Sequence, residues 1–83
     1  MLEELRTQIS AVDREIVALV NRRIQLVREL KAYKDANNIA FVDPERERQL
    51  FEDRLRENDG PLSDEGLRAF YGELLALTKR EVG

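Results

Sequence analysis

The first 36 residues constrain the fold most strongly. Between Leu2 and Ala36 the chain has no Gly or Pro, and apolar residues recur every three or four positions. They are Leu2, Leu5, Ile9, Val12, Ile16, Leu19, Leu26, Leu30 and Tyr33. This heptad pattern predicts one helix over about residues 2–36, roughly 50 Å long. A compact domain of 83 residues is only about 30 Å across, so we expect the helix to extend beyond its own domain and to need a second chain.

Two further helices are predicted from their start and stop signals. An Asp-Pro-Glu sequence that begins at Asp43 is typical of a helix start and predicts a second helix over about residues 44–57. Asn58–Pro61 ends it, and Ser63 caps a third helix over about residues 64–82. No segment has strand periodicity. We therefore expect an all-α fold with three helices per chain, assembled as an intertwined antiparallel homodimer.

Composition narrows the function. Hydrophobic residues make up 42% of the chain and charged residues 37%, which suits a single helical domain over residues 1–83. The net charge of −3 disfavours nucleic acid as a partner, and no apolar run is long enough for a membrane span. The N-terminus lacks a signal-peptide pattern, so a cytoplasmic location is expected. Without His or Cys, the chemistry is expected to use Arg, Lys, Asp, Glu and hydroxyl groups, with no metal and no cofactor.

Two cations of the first helix share a face. Arg23 occupies a seam position that is otherwise apolar, with Ile16 and Leu30 one heptad away on either side. Lys34 lies eleven residues further on, which places it only about 20° off that face and about 16 Å along the axis. A guanidinium in a seam is costly unless it is paired. Either Arg23 reaches solvent or a nearby Glu, or the two cations line a binding groove.

Charges elsewhere can join this groove. Arg6 lies about 42 Å from Lys34 along the helix, so only the Arg6 of an antiparallel partner chain could reach it. Arg46 and Glu47 lie four and three residues before Leu50, on or beside the apolar face of the second helix. Thr78 lies four residues after Leu74 and extends the apolar face of the third helix. Each also has an ordinary alternative: a solvated helix end for the charges, and simple packing for the threonine.

The combination of motifs resembles the AroQ-type, all-helical chorismate mutases over nearly the whole chain. The residues that carry the resemblance are Leu5-Arg6-Thr-Gln-Ile9-Ser-Ala-Val-Asp13, Asn21-Arg22-Arg23, Lys31-Ala-Tyr-Lys34 and Asp43-Pro-Glu-Arg46-Glu47-Arg48. The resemblance implies the rearrangement of chorismate to prephenate in phenylalanine and tyrosine biosynthesis. This reaction is intramolecular and needs no proton transfer, nucleophile or cofactor, so a chain without His or Cys is well suited to it.

The resemblance also implies roles for individual residues. Arg6 of the neighbouring subunit and Arg23 would hold the two substrate carboxylates, and Lys34 would reach the ether oxygen. Asp43, Arg46 and Glu47 would surround the ring hydroxyl. A further substrate contact falls on Thr78.

One position departs from the family pattern. The family usually has Gln or Glu near the ether oxygen, where this chain aligns Val82, with Glu81 one residue out of register. We therefore expect this contact to be made differently or to be missing.

Two other functions and one partner protein are also consistent with the sequence. An isochorismate-pyruvate lyase shares this fold and binds a similar dianion, and a non-catalytic helical dimerisation or regulatory module would leave the same cations on the surface. Phe41–Arg48 and Glu57–Pro61 most resemble mutase domains fused to some 3-deoxy-arabino-heptulosonate 7-phosphate synthases. Such a synthase is therefore a candidate partner.

Overall fold

The chain folds into three helices without strands. The computed structural model describes residues 1–83 and contains α1 (Leu2–Ala36), α2 (Pro44–Glu57) and α3 (Asp64–Val82). The prediction of an all-α chain with three helices and a long first helix is confirmed. No helix combines the length and the apolar character that a membrane span requires.

A two-bond turn ends α1 and directs the chain back toward it. The Ile39 amide donates to the Lys34 carbonyl at 2.8 Å, and the Asn38 amide donates to the Asp35 carbonyl at 3.4 Å. This is the Schellman pattern, which requires a left-handed residue after the helix. Asn38 provides it with a φ of 57°, because Asn tolerates this conformation better than most residues. The turn places the connecting segment 37–43 beside the last turns of α1.

Side-chain caps fix the starts of the other two helices. The Asp43 carboxylate accepts a hydrogen bond from the Arg46 amide at 3.1 Å, with Pro44 at the first helical position. The Ser63 hydroxyl accepts from the Gly66 amide at 3.0 Å. Each cap satisfies an amide that has no partner inside its own helix. These caps fix the residues at which α2 and α3 begin.

Packing centres on α3, which contacts both α1 and α2. The buried residues of the chain, Leu67, Tyr71 and Thr78, all belong to α3. Tyr71 also meets Phe51 of α2 edge to face, with ring centroids 5.2 Å apart, a favoured aromatic geometry. The arrangement holds α1 and α2 on either side of α3.

Most of α1 extends away from this packing. The chain measures 55 × 24 × 17 Å, and residues 1–10 are all exposed. All nine side chains of the seam remain at least 46% exposed: Leu2, Leu5, Ile9, Val12, Ile16, Leu19, Leu26, Leu30 and Tyr33. A single chain therefore leaves a long apolar stripe in contact with water.

The outer face of α2 carries local ion pairs. Arg48 pairs with Glu45 and Glu52, and its hydrogen bond lowers the pKa of Glu45. Gln49 donates to Asp53 at 2.9 Å, and this hydrogen bond is the main cause of a lowered pKa for that carboxyl group. Exposed pairs of this kind contribute little to stability. They neutralise the charges of this face within one helix.

The left-handed turn at Asn38 yields a prediction for stability. Asn38→Ala is expected to lower the free energy of unfolding by about 1 kcal/mol, because a Cβ disfavours this backbone conformation. Asn38→Gly should retain wild-type stability or exceed it. Urea unfolding followed by circular dichroism, at one fixed protein concentration, measures both. Equal midpoints for the Ala and Gly variants would contradict the role given to this turn.

Candidate functional site

One open pocket lies between the three helices and collects most of the predicted site residues. It encloses ≈ 550 Å³ of empty space, part of it open to solvent. Six of the seven predicted residues line it: Arg23, Lys34, Asp43, Arg46, Glu47 and Thr78. Its apolar wall is formed by Val27, Leu30, Phe41, Val42, Leu50 and Leu75, and Lys79 completes the lining. Apolar walls with a few convergent polar groups are typical of small-molecule sites.

Arg23 crosses from α1 to α3. Its Nη1 donates to the Thr78 hydroxyl oxygen at 2.8 Å, and that hydroxyl donates in turn to the Leu74 carbonyl at 2.7 Å. Thr78 is only 4% exposed, so the hydrogen bond is well protected. The guanidinium is thereby oriented by a neutral partner, which leaves its positive charge uncompensated.

Lys34 is held by the connecting segment. Its Nζ donates to the Phe41 carbonyl at 3.2 Å and lies 6.0 Å from the centre of the Phe41 ring. The Schellman turn after α1 makes this contact possible, because it folds the segment back over Lys34. An ammonium group has three donors, so this bond leaves others available to a ligand.

The charges of the pocket do not balance. Four cations line it against two carboxylates, a surplus of two positive charges in a chain whose net charge is −3. Arg23, Lys34 and Arg46 have no carboxylate oxygen within 4.0 Å of their charged nitrogens. Arg23 and Lys34 are partly buried, and cations without anionic partners leave a local positive field. The pocket is therefore suited to a small anion with two negative charges.

The two carboxylates of the pocket have partners in the chain. Asp43 caps α2 through one of its oxygens. Glu47 receives Lys79 of α3, with Nζ 2.7 Å from Oε1. Each carboxylate therefore has a second oxygen that can accept a hydrogen bond from a ligand.

Arg6 is the predicted residue that the chain does not bring to the pocket. It is exposed, pairs with Glu3 at 3.3 Å, and lies about 25 Å from Arg23 along α1. No bend of a continuous helix closes that distance. Arg6 and the pocket of the same chain are separate.

Comparison with known proteins assigns the family. The family described as chorismate mutase type II matches residues 5–82. The chain belongs to this family. It is 37% identical over 79 residues to the bifunctional chorismate mutase/prephenate dehydratase of Aquifex aeolicus (strain VF5), covering 90% of this chain and 22% of that protein. It is 30% identical over 80 residues to the T-protein of Haemophilus influenzae, covering 90% and 21% respectively. The chain thus spans about a fifth of the length of these curated relatives.

Two features of this type II mutase domain were missed or left open by the sequence. Lys79 lines the pocket, and its spacing of four residues from Leu75 was a usable signal, because residues i and i+4 share a helix face. Neither Glu81 nor Val82 lines the pocket. Lys79, not a Gln or Glu, is therefore the last pocket residue of α3.

The hydrogen bond between Arg23 and Thr78 yields a second prediction. Thr78→Val keeps the shape of the side chain but removes the acceptor, so it should lower the free energy of unfolding by about 1 kcal/mol. Thr78→Ser retains the hydroxyl and serves as the matched control. Both are compared by urea unfolding at equal protein concentration, and a Val variant as stable as the Ser variant would show that the bond contributes nothing.

Proposed function

We propose that this domain rearranges chorismate to prephenate, as a mutase of phenylalanine and tyrosine biosynthesis. The single observation that carries the proposal is the set of three pocket cations, Arg23, Lys34 and Arg46, that have no carboxylate partner. Chorismate is a dianion, so its two carboxylates match the surplus of two positive charges. The family assignment supports the same activity.

The reaction needs positioning and charge stabilisation. An ether C–O bond of chorismate breaks while a C–C bond forms within the same molecule, and no atom is gained or lost. A catalyst must hold the flexible substrate with its two ends in contact and stabilise negative charge on the ether oxygen. Fixed cations in a partly apolar pocket can do both.

The cations differ in what they can bind. Arg23 presents a planar fork suited to a carboxylate, and its bond to Thr78 holds that fork in place. Lys34 is a compact point charge suited to the ether oxygen and a nearby carboxylate. Arg46 stands at the start of α2, on the other side of the pocket. We therefore assign Arg23 and Lys34 to catalysis and Arg46 to substrate binding.

The acidic residues suit the ring hydroxyl of the substrate. Glu47 and Asp43 each retain an oxygen that can accept a hydrogen bond from it. We assign Glu47 to catalysis, together with Arg23 and Lys34, and Asp43 to substrate binding. The Thr78 hydroxyl donates its hydrogen bond to the Leu74 carbonyl, so Thr78 contributes to substrate binding by orienting Arg23.

We further propose that two copies of the domain form an intertwined antiparallel homodimer. The exposed apolar stripe of α1 requires a cover, and a second α1 has the matching heptad pattern. An antiparallel α1 centred near residues 15–20 would bring its Arg6 toward the segment between Arg23 and Lys34. The partner would then complete the pocket as well as the core.

The wider setting of the domain is also a proposal. We infer that residues 1–83 form one mutase domain, and that a 3-deoxy-arabino-heptulosonate 7-phosphate synthase is a candidate partner. The Aquifex aeolicus relative carries a second enzymatic function in a much longer chain, which supports a role next to another activity. The name of the Aquifex aeolicus relative supports a mutase over an isochorismate-pyruvate lyase or a non-catalytic helical module.

A direct assay tests the function. Purified protein is given chorismate, and the loss of its ultraviolet absorption is followed together with the formation of prephenate. Isochorismate is supplied in parallel. Formation of salicylate and pyruvate from isochorismate would favour the lyase, and no conversion of either substrate would favour the non-catalytic module.

Loss of either catalytic cation should abolish most of the activity. Arg23→Ala and Lys34→Ala are each expected to lower kcat/KM at least about a hundredfold, since a preorganised donor is worth about 3 to 4 kcal/mol of barrier. Lys31→Ala is the matched control, because Lys31 lies on the same helix but pairs with Asp35 outside the pocket. Near-normal turnover by Arg23→Ala or Lys34→Ala, with helicity intact, would overturn the site.

Mixing two inactive variants tests the shared site. Arg6→Ala and Arg23→Ala lie on different chains of each proposed site, so a mixed dimer contains one intact site and one doubly altered site. Random exchange of equal amounts should restore about a quarter of wild-type activity. A mixture of Arg23→Ala and Lys34→Ala is the control, because both residues belong to the same chain of a site. Restoration by neither mixture would argue against the contribution of Arg6.

A further inference from the structure

Lys79 differs from the other cations of the pocket. It is the one of the four that has a carboxylate partner, with its Nζ 2.7 Å from Oε1 of Glu47. The pair joins α3 to α2 at the edge of the pocket, and the side chains are 45% and 26% exposed, respectively. It is also the one contact between side chains of opposite charge that links two different helices.

We propose that Lys79 is a positioning and charge-compensating residue of this site. It neutralises Glu47 and fixes that side chain, so that a pocket for a dianion can contain a carboxylate close to its ligand. This inference rests on the proposed function, and it adds a residue that neither the motif resemblance nor the heptad pattern indicated.

The charge of the pocket gives the reason. With Lys79 present, the lining has four cations and two carboxylates, which leaves a surplus of two positive charges. Without it, the surplus falls to one, and the Glu47 carboxylate faces an anionic ligand with no counter-charge. Like charges this close inside a partly desolvated pocket repel strongly. Lys79 thus allows Glu47 to be present at no cost in anion affinity.

The pair also restricts the position of Glu47. Lys79 engages Oε1, so the second oxygen of Glu47 is left as the acceptor for a ligand hydroxyl. A free Glu side chain would sample several rotamers, and it could instead turn toward Arg46 or Lys34, both in the same lining. Either turn would remove a cation from the ligand.

The surroundings of Lys79 argue against a purely structural role. Half-exposed ion pairs contribute little to folding stability, and α2 is already joined to α3 by the contact of Phe51 with Tyr71. Removal of the Lys79 charge should therefore leave the fold in place. Its effect should be found in ligand affinity.

Five variants test the proposal: Lys79→Gln, Lys79→Arg, Glu47→Gln, the double variant of Lys79→Gln with Glu47→Gln, and Arg80→Gln as the control. Arg80 is the next residue on α3, pairs with Glu73 at 2.9 Å and lies outside the pocket, so its replacement removes the same charge from the chain. KM and kcat are measured with chorismate. The Kd of a rigid bicyclic dicarboxylate that imitates the transition state is measured by titration calorimetry, and helicity by circular dichroism.

The expected pattern separates compensation from simple loss of a cation. Lys79→Gln should raise both KM and the Kd of the dicarboxylate about tenfold, while Arg80→Gln leaves both unchanged. The double variant regains a surplus of two positive charges, so its Kd should return to within about threefold of the wild type. Its kcat should stay as low as that of Glu47→Gln, because the Glu47 contact remains lost. Lys79→Arg should retain wild-type affinity.

Two results would overturn the proposal. One is a Lys79→Gln variant that matches Arg80→Gln in KM and Kd, and the other is a double variant that binds the dicarboxylate no better than Lys79→Gln. Lys79→Met, a second neutral replacement, is measured in place of Lys79→Gln if that variant loses helicity. Absence of chorismate turnover in the unmodified protein overturns the proposed function alone, since the Kd ratios still test Lys79. A lack of dicarboxylate binding by the unmodified protein overturns both.

Discussion

The contact of α3 with both other helices is the constraint on which the rest of the structure depends. All three buried residues belong to α3, and its side chains reach α1 through Thr78 and α2 through Tyr71 and Lys79. A chain with so few buried residues has little core to spare. The same helix therefore supplies the packing of the domain and one wall of the pocket, so small shifts of α3 would change stability and ligand binding together.

Charge is distributed unevenly in this domain: most cations outside the pocket are paired with acids, whereas most cations of the pocket are not. Apart from Arg46, the cations of α2 are paired with acids of the same helix, as Arg48 is with Glu45 and Glu52. The half-buried cations Arg23 and Lys34 are held by neutral oxygen atoms instead. A neutral partner orients a cation without compensating its charge. The pocket thus keeps a positive field within an acidic chain, ready for an anion that supplies the missing negative charge.

The sequence was sufficient to predict the elements but only part of the site. The heptad seam and the caps at Asp43 and Ser63 predicted three helices, because these signals are local. The common face of Arg23 and Lys34 was predictable for the same reason, since both belong to one helix. The spacing of Lys79 from Leu75 was a signal for its place on the pocket side of α3, but its contact with Glu47 depends on how α2 and α3 pack. Such a contact between helices has no counterpart in the spacing of a single helix.

The direction of one hydrogen-bond chain gives the pocket a polarity. The Thr78 hydroxyl gives its proton to the Leu74 carbonyl and can only accept from Arg23. The remaining N–H groups of Arg23 are therefore left as donors on the α1 side of the pocket, whereas Glu47 and Asp43 on the α2 side each keep an oxygen that can accept. A ligand hydroxyl finds a free carboxylate oxygen on the α2 side, but it meets the donors of Arg23 and Lys34 when the ligand is reversed. Recognition of front from back is thus built into the lining before any ligand arrives.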